Sequence, residues 1–374
     1  MCILLGYIAY REKNLSYEEY IARDQKESAT EKEDSDTPAP IYPEHYFEEV
    51  NPYLLFDAAV ATNPQFNPDE IYDTSATVKN NDGPIMCEKL MQKSGEMETE
   101  IFEDVDWNGN TVSAYTFETE EDYLLVRPNY LGYGKGELTY ALEEVFCFSE
   151  VSPIDNRDDF FLAADFTDFS KDEAWTCVTE ALQDEIPDMD YYFSFPVRAE
   201  VLNEQLAELK SIMDDYDTYY EEFTEKEEGY FFYCAQVVDG ICVYQENYLD
   251  SYSPREDRPK FTIMVTRDGI ATVTMFTIFS FEQSENKITL CDFSQIVDVA
   301  KTHYVTVANE NMPLVVSKFE LLYFPLNVGN GQYRLVPIWV VTAEYDWRTG
   351  GNTVKDVIAI NAQTGEEMPE LFLY

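Results

Sequence analysis

Leu314-Val315-Val316-Ser317-Lys318-Phe319-Glu320-Leu321-Leu322-Tyr323-Phe324-Pro325, then Leu335-Val336-Pro337-Ile338-Trp339-Val340-Val341, then a run closing Ala359-Ile360-Asn361-Ala362-Gln363-Thr364-Gly365-Glu366: this stretch decides the fold. Its β-branched and aromatic residues, punctuated by Gly, Pro and Asn, predict strands over Leu314–Phe324, Tyr333–Tyr345 and Val354–Ile360. At the end, Asn361 and Thr364 can bond nearby backbone while Gly365 supplies a positive φ, so the chain closes in a tight structural turn. Just upstream, Asp292-Phe293-Ser294 opens a helix with Ile296, Val299, Ala300 and His303 on one face.

The same Asp-Phe-Ser triplet occurs earlier, at Asp168-Phe169-Ser170. Ser170 and Glu173 form a capping box, and Ala174, Val178, Ala181 and Leu182 follow at helical spacing. A second helix is expected over Leu202–Met213. Two paired runs come next, Tyr230–Val238 with Ile241–Tyr248 across Asp239-Gly240, and Phe261–Thr266 with Ile270–Phe281 across Asp268-Gly269. Helix first and strands after thus occurs twice, which points to a duplicated α+β unit.

Residues 47–160 read mainly as strands. Glu98–Phe117 alternates across Asn108-Gly109, a strong hairpin signal. Tyr123–Arg127 and Leu142–Phe148 are further strands, with Gly132, Gly134 and Gly136 marking a loop between them. From Arg11 to about Pro43 the composition turns to Glu, Lys, Asp, Ser, Thr and Pro, too poor in large apolar groups to offset ordering entropy, so it reads as a stalk. Within it Ser16-Tyr17-Glu18-Glu19 fits a capping box for a short helix over Ser16–Arg23. Met1–Tyr10 is apolar but too short to span a bilayer and has no basic start, so it is incomplete as a signal peptide. Cys2 is a lipid-attachment residue if a signal peptide precedes Met1; the other reading is a disordered or packed terminal strand.

The chain carries 73 acidic and 25 basic residues in 374, a formal charge of -48. That length implies about two or three domains, and a charge of that sign repels phosphate backbones, which excludes nucleic acid as a direct partner. Seven cysteines contain no CxxC pair, and His45 and His303 are far apart, so no zinc site or other cofactor is expected. Across a two-residue Asp239-Gly240 turn, Cys242 faces Val237 and Cys234 faces Gln245. Their sulfurs then point to opposite faces and cannot pair.

Several constellations have a plainer explanation. Asp104-Val105-Asp106-Trp107-Asn108-Gly109-Asn110 begins like a calcium loop, but position twelve is Tyr115 where such loops need a bidentate Glu, and Asn-Gly accounts for a turn. Acid pairs suited to glycoside hydrolysis are inevitable among so many carboxylates and carry no signal. Hydrolysis by Ser or Cys needs a base, and only two histidines are present. Aromatic groups at Tyr191 and Tyr192, at Tyr219 and Tyr220, and at Tyr230–Tyr233 suit sugar or peptide stacking, or else fill sheets. Trp339 reads as core, with a ligand platform as its other reading.

The helix opened by an acidic-aromatic-Ser start, the strand ending Leu321-Leu322-Tyr323-Phe324-Pro325, the Leu335–Val341 run and the Ile360–Glu366 closure together resemble PepSY-like domains. They also resemble extracytoplasmic regulators of the YycH/YycI type and acidic lipoproteins of Gram-positive bacteria. The resemblance implies an anchored protein outside the membrane that binds or regulates, without catalysis, although the transmembrane helix of the YycH/YycI pattern is missing. The resulting expectation is an α+β chain: a segment and stalk over 1–46, a β-rich N-terminal domain over 47–160, and two helix-plus-antiparallel-sheet modules over 161–290 and 291–374. It would be a surface-tethered lipoprotein, not an enzyme, that binds or regulates another envelope protein. A carbohydrate or cell-wall-polymer binder using Tyr191, Tyr192, Tyr219, Tyr220 or Trp339 ranks second, and an acid-pair glycoside hydrolase third.

Overall fold

The computed structural model describes residues 42–63, 66–91, 96–106, 109–120, 122–135, 164–212, 222–244, 260–329, 331–346 and 353–368. Cys2, the stalk up to Ile41, the Leu142–Phe148 strand, Cys147, Tyr219 and Tyr220 lie outside the described residues.

The strands are β1 (His45–Asn51), β2 (Leu54–Ala61), β3 (Tyr72–Lys79), β4 (Glu98–Val105), β5 (Thr111–Glu118), β6 (Asp122–Arg127), β7 (Tyr130–Lys135), β8 (Met189–Val197), β9 (Gly229–Val238), β10 (Ile241–Val243), β11 (Lys260–Thr266), β12 (Gly269–Phe276), β13 (Ile278–Lys287), β14 (Leu314–Gly329), β15 (Gln332–Asp346) and β16 (Thr353–Asn361). The helices are α1 (Gly83–Leu90), α2 (Lys171–Leu182), α3 (Ala199–Ile212) and α4 (Phe293–Val307). All sixteen strands among the described residues join one mixed sheet.

That overturns the expected architecture of two helix-plus-antiparallel-sheet modules behind a β-rich domain. Strand makes up 55% of the structure against 19% helix, and distant segments interleave. β2 pairs in parallel with β14, and β3 sits between β13 and β15. The helix signals at Ser170, Leu202 and Asp292 and the Asp239-Gly240 turn were sound, but local sequence does not say which strand fills a neighbour's ladder, and here several strands take partners from the opposite end of the chain.

Among the described residues two large cores organise the sheet, and a smaller cluster of Phe324, Val336, Ile338, Val340 and Ala359 packs on the β14–β15 hairpin. An antiparallel run β8-β9-β11-β12-β7-β6-β5-β4 carries α1 and α2 on one face, burying Met86, Val178, Leu182, Phe232, Ile263 and Val273. The long β14–β15 hairpin is the spine of the second half. β2 and β16 flank one end, and β10 and β3 flank the other. α4 covers this spine through Ile296, Val297, Ala300 and Tyr304. The expected face is therefore rotated: His303 turns outward to Glu367, at 2.9 Å.

The two halves meet at two places. One is the Asp239-Gly240 turn, where φ values of 53° and 72° make the tight hairpin that joins β9 to β10. Cys242 pairs with Val237 there, as the hairpin register requires. The other is Thr277, with φ of 45°, which splits the expected single run Ile270–Phe281. Before it, β12 pairs with β11 and β7; after it, β13 departs to β3. The expected loop at Gly132 and Gly134 is instead strand β7. Gly132 leaves room for the Tyr130 ring there, since a Cβ would fall 2.4 Å from the Tyr130 hydroxyl and the ring would have to move.

Candidate functional site

The closing turn is structural, as its residues imply. Asn361 Oδ1 accepts the Gln363 and Thr364 N–H groups at 2.8 and 3.1 Å, and Gly365 has φ of 70°. The Cys291 thiol donates to the Gln363 carbonyl at 3.0 Å, which ties the turn to the start of α4. Burial, with Asp292 beside it, pushes that thiol's pKa up, so Cys291 is a poor nucleophile at neutral pH. It lines a surface pocket of about 440 Å3 together with Tyr42, Asp69, Lys287 and Phe293. Lys287 is already engaged, donating to the Asp69 carbonyl at 2.7 Å.

The aromatic residues weighed for ligand binding are distributed over separate environments. Tyr191 packs on Trp175 and Phe232, with ring centroids at 4.9 and 5.3 Å, on the face that α2 covers. A bulge at Tyr192 interrupts the β8–β9 register, so Phe193 and Phe195 face the other way, against Tyr233 and Phe231. Tyr192 is 48% exposed, on the same side as Tyr233. Trp339 is wholly buried in the second core between Tyr42 and Phe293, and its indole N–H has no hydrogen-bond partner among the described residues. The histidines form separate pairs, His45 with Asp57 at 2.7 Å and His303 with Glu367.

The surface with a distinct chemical character is β4, at the end of the antiparallel run. Among the described residues its one strand partner is β5. The β4–β5 hairpin expected from the sequence forms here, with Gly109 at φ of 77° and Asp106 accepting the Asn110 N–H at 2.8 Å; Asn108 lies outside the described residues. On one face of β4, Ile101 and Val105 are 63% and 61% exposed, and Met97 just before the strand is 47% exposed. Isolated exposed apolar residues need no explanation, but here three fall on one terminal strand and its lead-in, with Ile85 of α1 exposed on the same side of the sheet.

The acids of β4 add a second feature. Asp104 is held by Arg127, Nε to Oδ2 at 2.7 Å, which keeps its carboxyl below the ordinary range. Glu98 stands directly opposite Glu118, and Glu100 and Glu103 follow along the strand. Among the described residues no cation pairs with any of these four glutamates. Like charges directly opposite on a sheet repel. The hairpin was legible in the sequence, but that it ends the sheet was not.

α1 packs beside this region. Asp82 caps it by accepting the Ile85 N–H at 3.0 Å, Pro84 stands in its first turn, and the Met91 N–H closes it on the Cys87 carbonyl. Cys87 Sγ lies 3.8 Å from Met91 Sδ and 3.6 Å from Met97 Sδ. Tyr115 of β5 presses so closely on Gly83 that a Cβ there would meet its ring at 2.3 Å. Helix and terminal hairpin are thereby fixed to each other.

No family model matches the sequence, and no curated protein matches it. Among solved structures, the chain is similar to the crystal structure of an uncharacterized protein from Eubacterium rectale ATCC 33656, at 16% identity and a TM-score of 0.61, over 87% of this chain and 94% of that one. That likeness shows a shared fold. A distant neighbour is the Bacillus megaterium YpeB C-terminal domain, a PepSY-containing domain, at 11% identity over 78% of this chain and 97% of that one. Its TM-score of 0.31 carries no fold assignment, and no match supports membership of the YycH/YycI or lipoprotein families.

Proposed function

We propose that this chain is a non-catalytic binding protein of the cell envelope, and that an extended segment of another envelope protein docks on β4. The position of β4 at the end of the described sheet supports this, since such an edge is a template for an added strand. The exposed Ile101 and Val105 on one face and Glu98 and Glu100 on the other then set what the added strand must carry. Because side chains alternate along a strand, the matching segment alternates apolar residues with Lys or Arg. A second copy of this chain is a poor occupant, since two molecules each carrying a charge of -48 repel. Anchoring through a lipid on Cys2 belongs to the same proposal and rests on the sequence.

The test uses a synthetic peptide, Lys-Val-Lys-Thr-Lys-Val-Lys, titrated onto the full chain with hydrogen exchange as the readout. Protection confined to the amides of β4, an affinity that falls as salt rises, and a loss of at least tenfold in a Glu98→Lys/Glu100→Lys variant are expected. Equal binding by the charge-reversed variant, or protection elsewhere, rules the docking strand out. A mass spectrum of protein from its native membrane fraction without a diacylglyceryl group on Cys2 would remove the anchor.

A further inference from the structure

We propose that Cys87, Met91 and Met97 form a three-sulfur site for a soft monovalent cation, Cu(I) or its analogue Ag(I). The helix places two of the ligands: Cys87 and Met91 are four residues apart and therefore on one face, and the Met91 N–H bond to the Cys87 carbonyl at 3.0 Å holds that spacing at the helix end. The third comes from outside the helix, where the chain enters β4. The thiol sulfur stands within 3.8 Å of both thioether sulfurs. With metal–sulfur bonds of about 2.3 Å, sulfurs at such separations subtend about 105–110° at an ion, close to trigonal or tetrahedral geometry.

The donor set selects the ion. One thiolate and two thioethers are soft ligands, which favour Cu(I) over the hard cations that carboxylates hold. Among the described residues no group of three or more His, Cys, Asp and Glu could hold a metal, so no harder set competes there. Charge agrees as well. A thiolate with a monovalent ion is neutral, which suits a site whose Met91 side is 5% exposed, whereas a divalent ion would leave a net charge at its dry wall. Met97, 47% exposed, forms the wet wall through which an ion enters. Binding exchanges the thiol proton for the metal: the S–H bond breaks, the S–metal bond forms, the proton goes to water, and no electron moves. The competing explanation is packing alone, since methionines fill irregular gaps beside a helix end.

Ag(I) titrated into the reduced full-length protein, with methionine methyl groups labelled with carbon-13, separates the two. Of the ten methionine methyls, those of Met91 and Met97 are expected to shift together with the first equivalent. In competition with a thiolate chelator, Cys87→Ser and Met91→Leu/Met97→Leu variants should each lose at least tenfold in affinity for that equivalent. The double leucine variant keeps volume and all seven thiols, so unchanged affinity in it would reduce the site to an ordinary cysteine and overturn the proposal. Unmoved methyls in the wild-type protein overturn it without any variant.

Discussion

Gln236 does the work of a missing strand contact, and replacing it should cost as much as breaking one. β9 and β13 are not neighbours in the sheet, yet they cross where the chain passes between its two halves. The Gln236 side chain, 1% exposed, accepts the Phe279 N–H at 2.8 Å and donates to the Phe279 carbonyl at 2.8 Å and the Pro187 carbonyl at 3.3 Å. Gln236→Leu keeps about the same volume but strands the two Phe279 backbone groups, each costing about 1–3 kcal/mol when buried unpaired, against a smaller gain from apolar burial. A net loss of about 3 kcal/mol is expected, read from urea unfolding followed by tryptophan fluorescence.

Gln236→Glu sharpens the test. Its carboxylate can accept the Phe279 N–H but then faces two carbonyl oxygens, so burial raises its folded pKa above the unfolded value of about 4.3. A raised folded pKa means that stability is fullest below about pH 4, where the neutral acid donates to Phe279, and is lost as pH rises. The gap between this variant and wild type should therefore widen from pH 4.5 to 8. A gap independent of pH, or a leucine variant within about 0.5 kcal/mol of wild type, would refute the strand-like role.

Asp239→Ala should cost about 3 kcal/mol and Asp239→Asn about 1, by the same unfolding measurement. Alanine removes the acceptor for the Tyr72 N–H at 3.0 Å and for Gln283 Nε2 at 2.6 Å and tolerates φ of 53° poorly, while asparagine keeps one acceptor and the left-handed backbone. Equal costs would contradict this account. Alkaline pH should destabilise the protein: burial first, then the carboxylates of Asp122, Asp165 and Asp239, raise the pKa of Tyr133, Tyr230 and Tyr323, to about 12 for Tyr230. Stability is then complete below the unfolded tyrosine pKa of about 10 and falls above it, by about 4 kcal/mol for the three together at pH 11. A urea midpoint unchanged between pH 8 and 11 would count against their burial.

What the sequence disclosed was local. Ser170 with Glu173, the Asp239-Gly240 turn, the β4–β5 hairpin around Gly109 and the Asn361–Gly365 closure each involve residues close in sequence, and each forms as expected. The β14 and β15 runs were recognised because their hydrophobicity is dense. The choice of partner was not legible, because nothing within Leu54–Ala61 states that its neighbour begins at Leu314. Thr277 was missed for another reason. A β-branched residue at positive φ has no composition signal, and the surrounding fold must impose it. At the candidate sites, the hairpin of β4 could be read, but the helix that spaces Cys87 and Met91, lying in a stretch expected to be mainly strand, the sheet end and the approach of Met97 required the assembled fold.

The distribution of the scarce cations explains why the acid on β4 is available to a partner. Several ion pairs among the described residues join segments distant in sequence: Arg334 with Asp73, Lys79 with Glu185, Lys301 with Glu48, and Arg267 with both Asp168 and Glu228, whereas Lys318 pairs locally with Glu320. Individually such half-exposed pairs contribute about 0–1 kcal/mol, so their value lies in joining the right segments more than in total energy. With 25 basic residues against 73 acidic ones, cations committed to junctions leave whole strands unneutralised. Among the described residues only Asp104 on β4 receives one, from Arg127 two strands away. Reversing Glu98 and Glu100 therefore breaks no ion pair among the described residues, and a change in peptide affinity in that variant would report the edge itself.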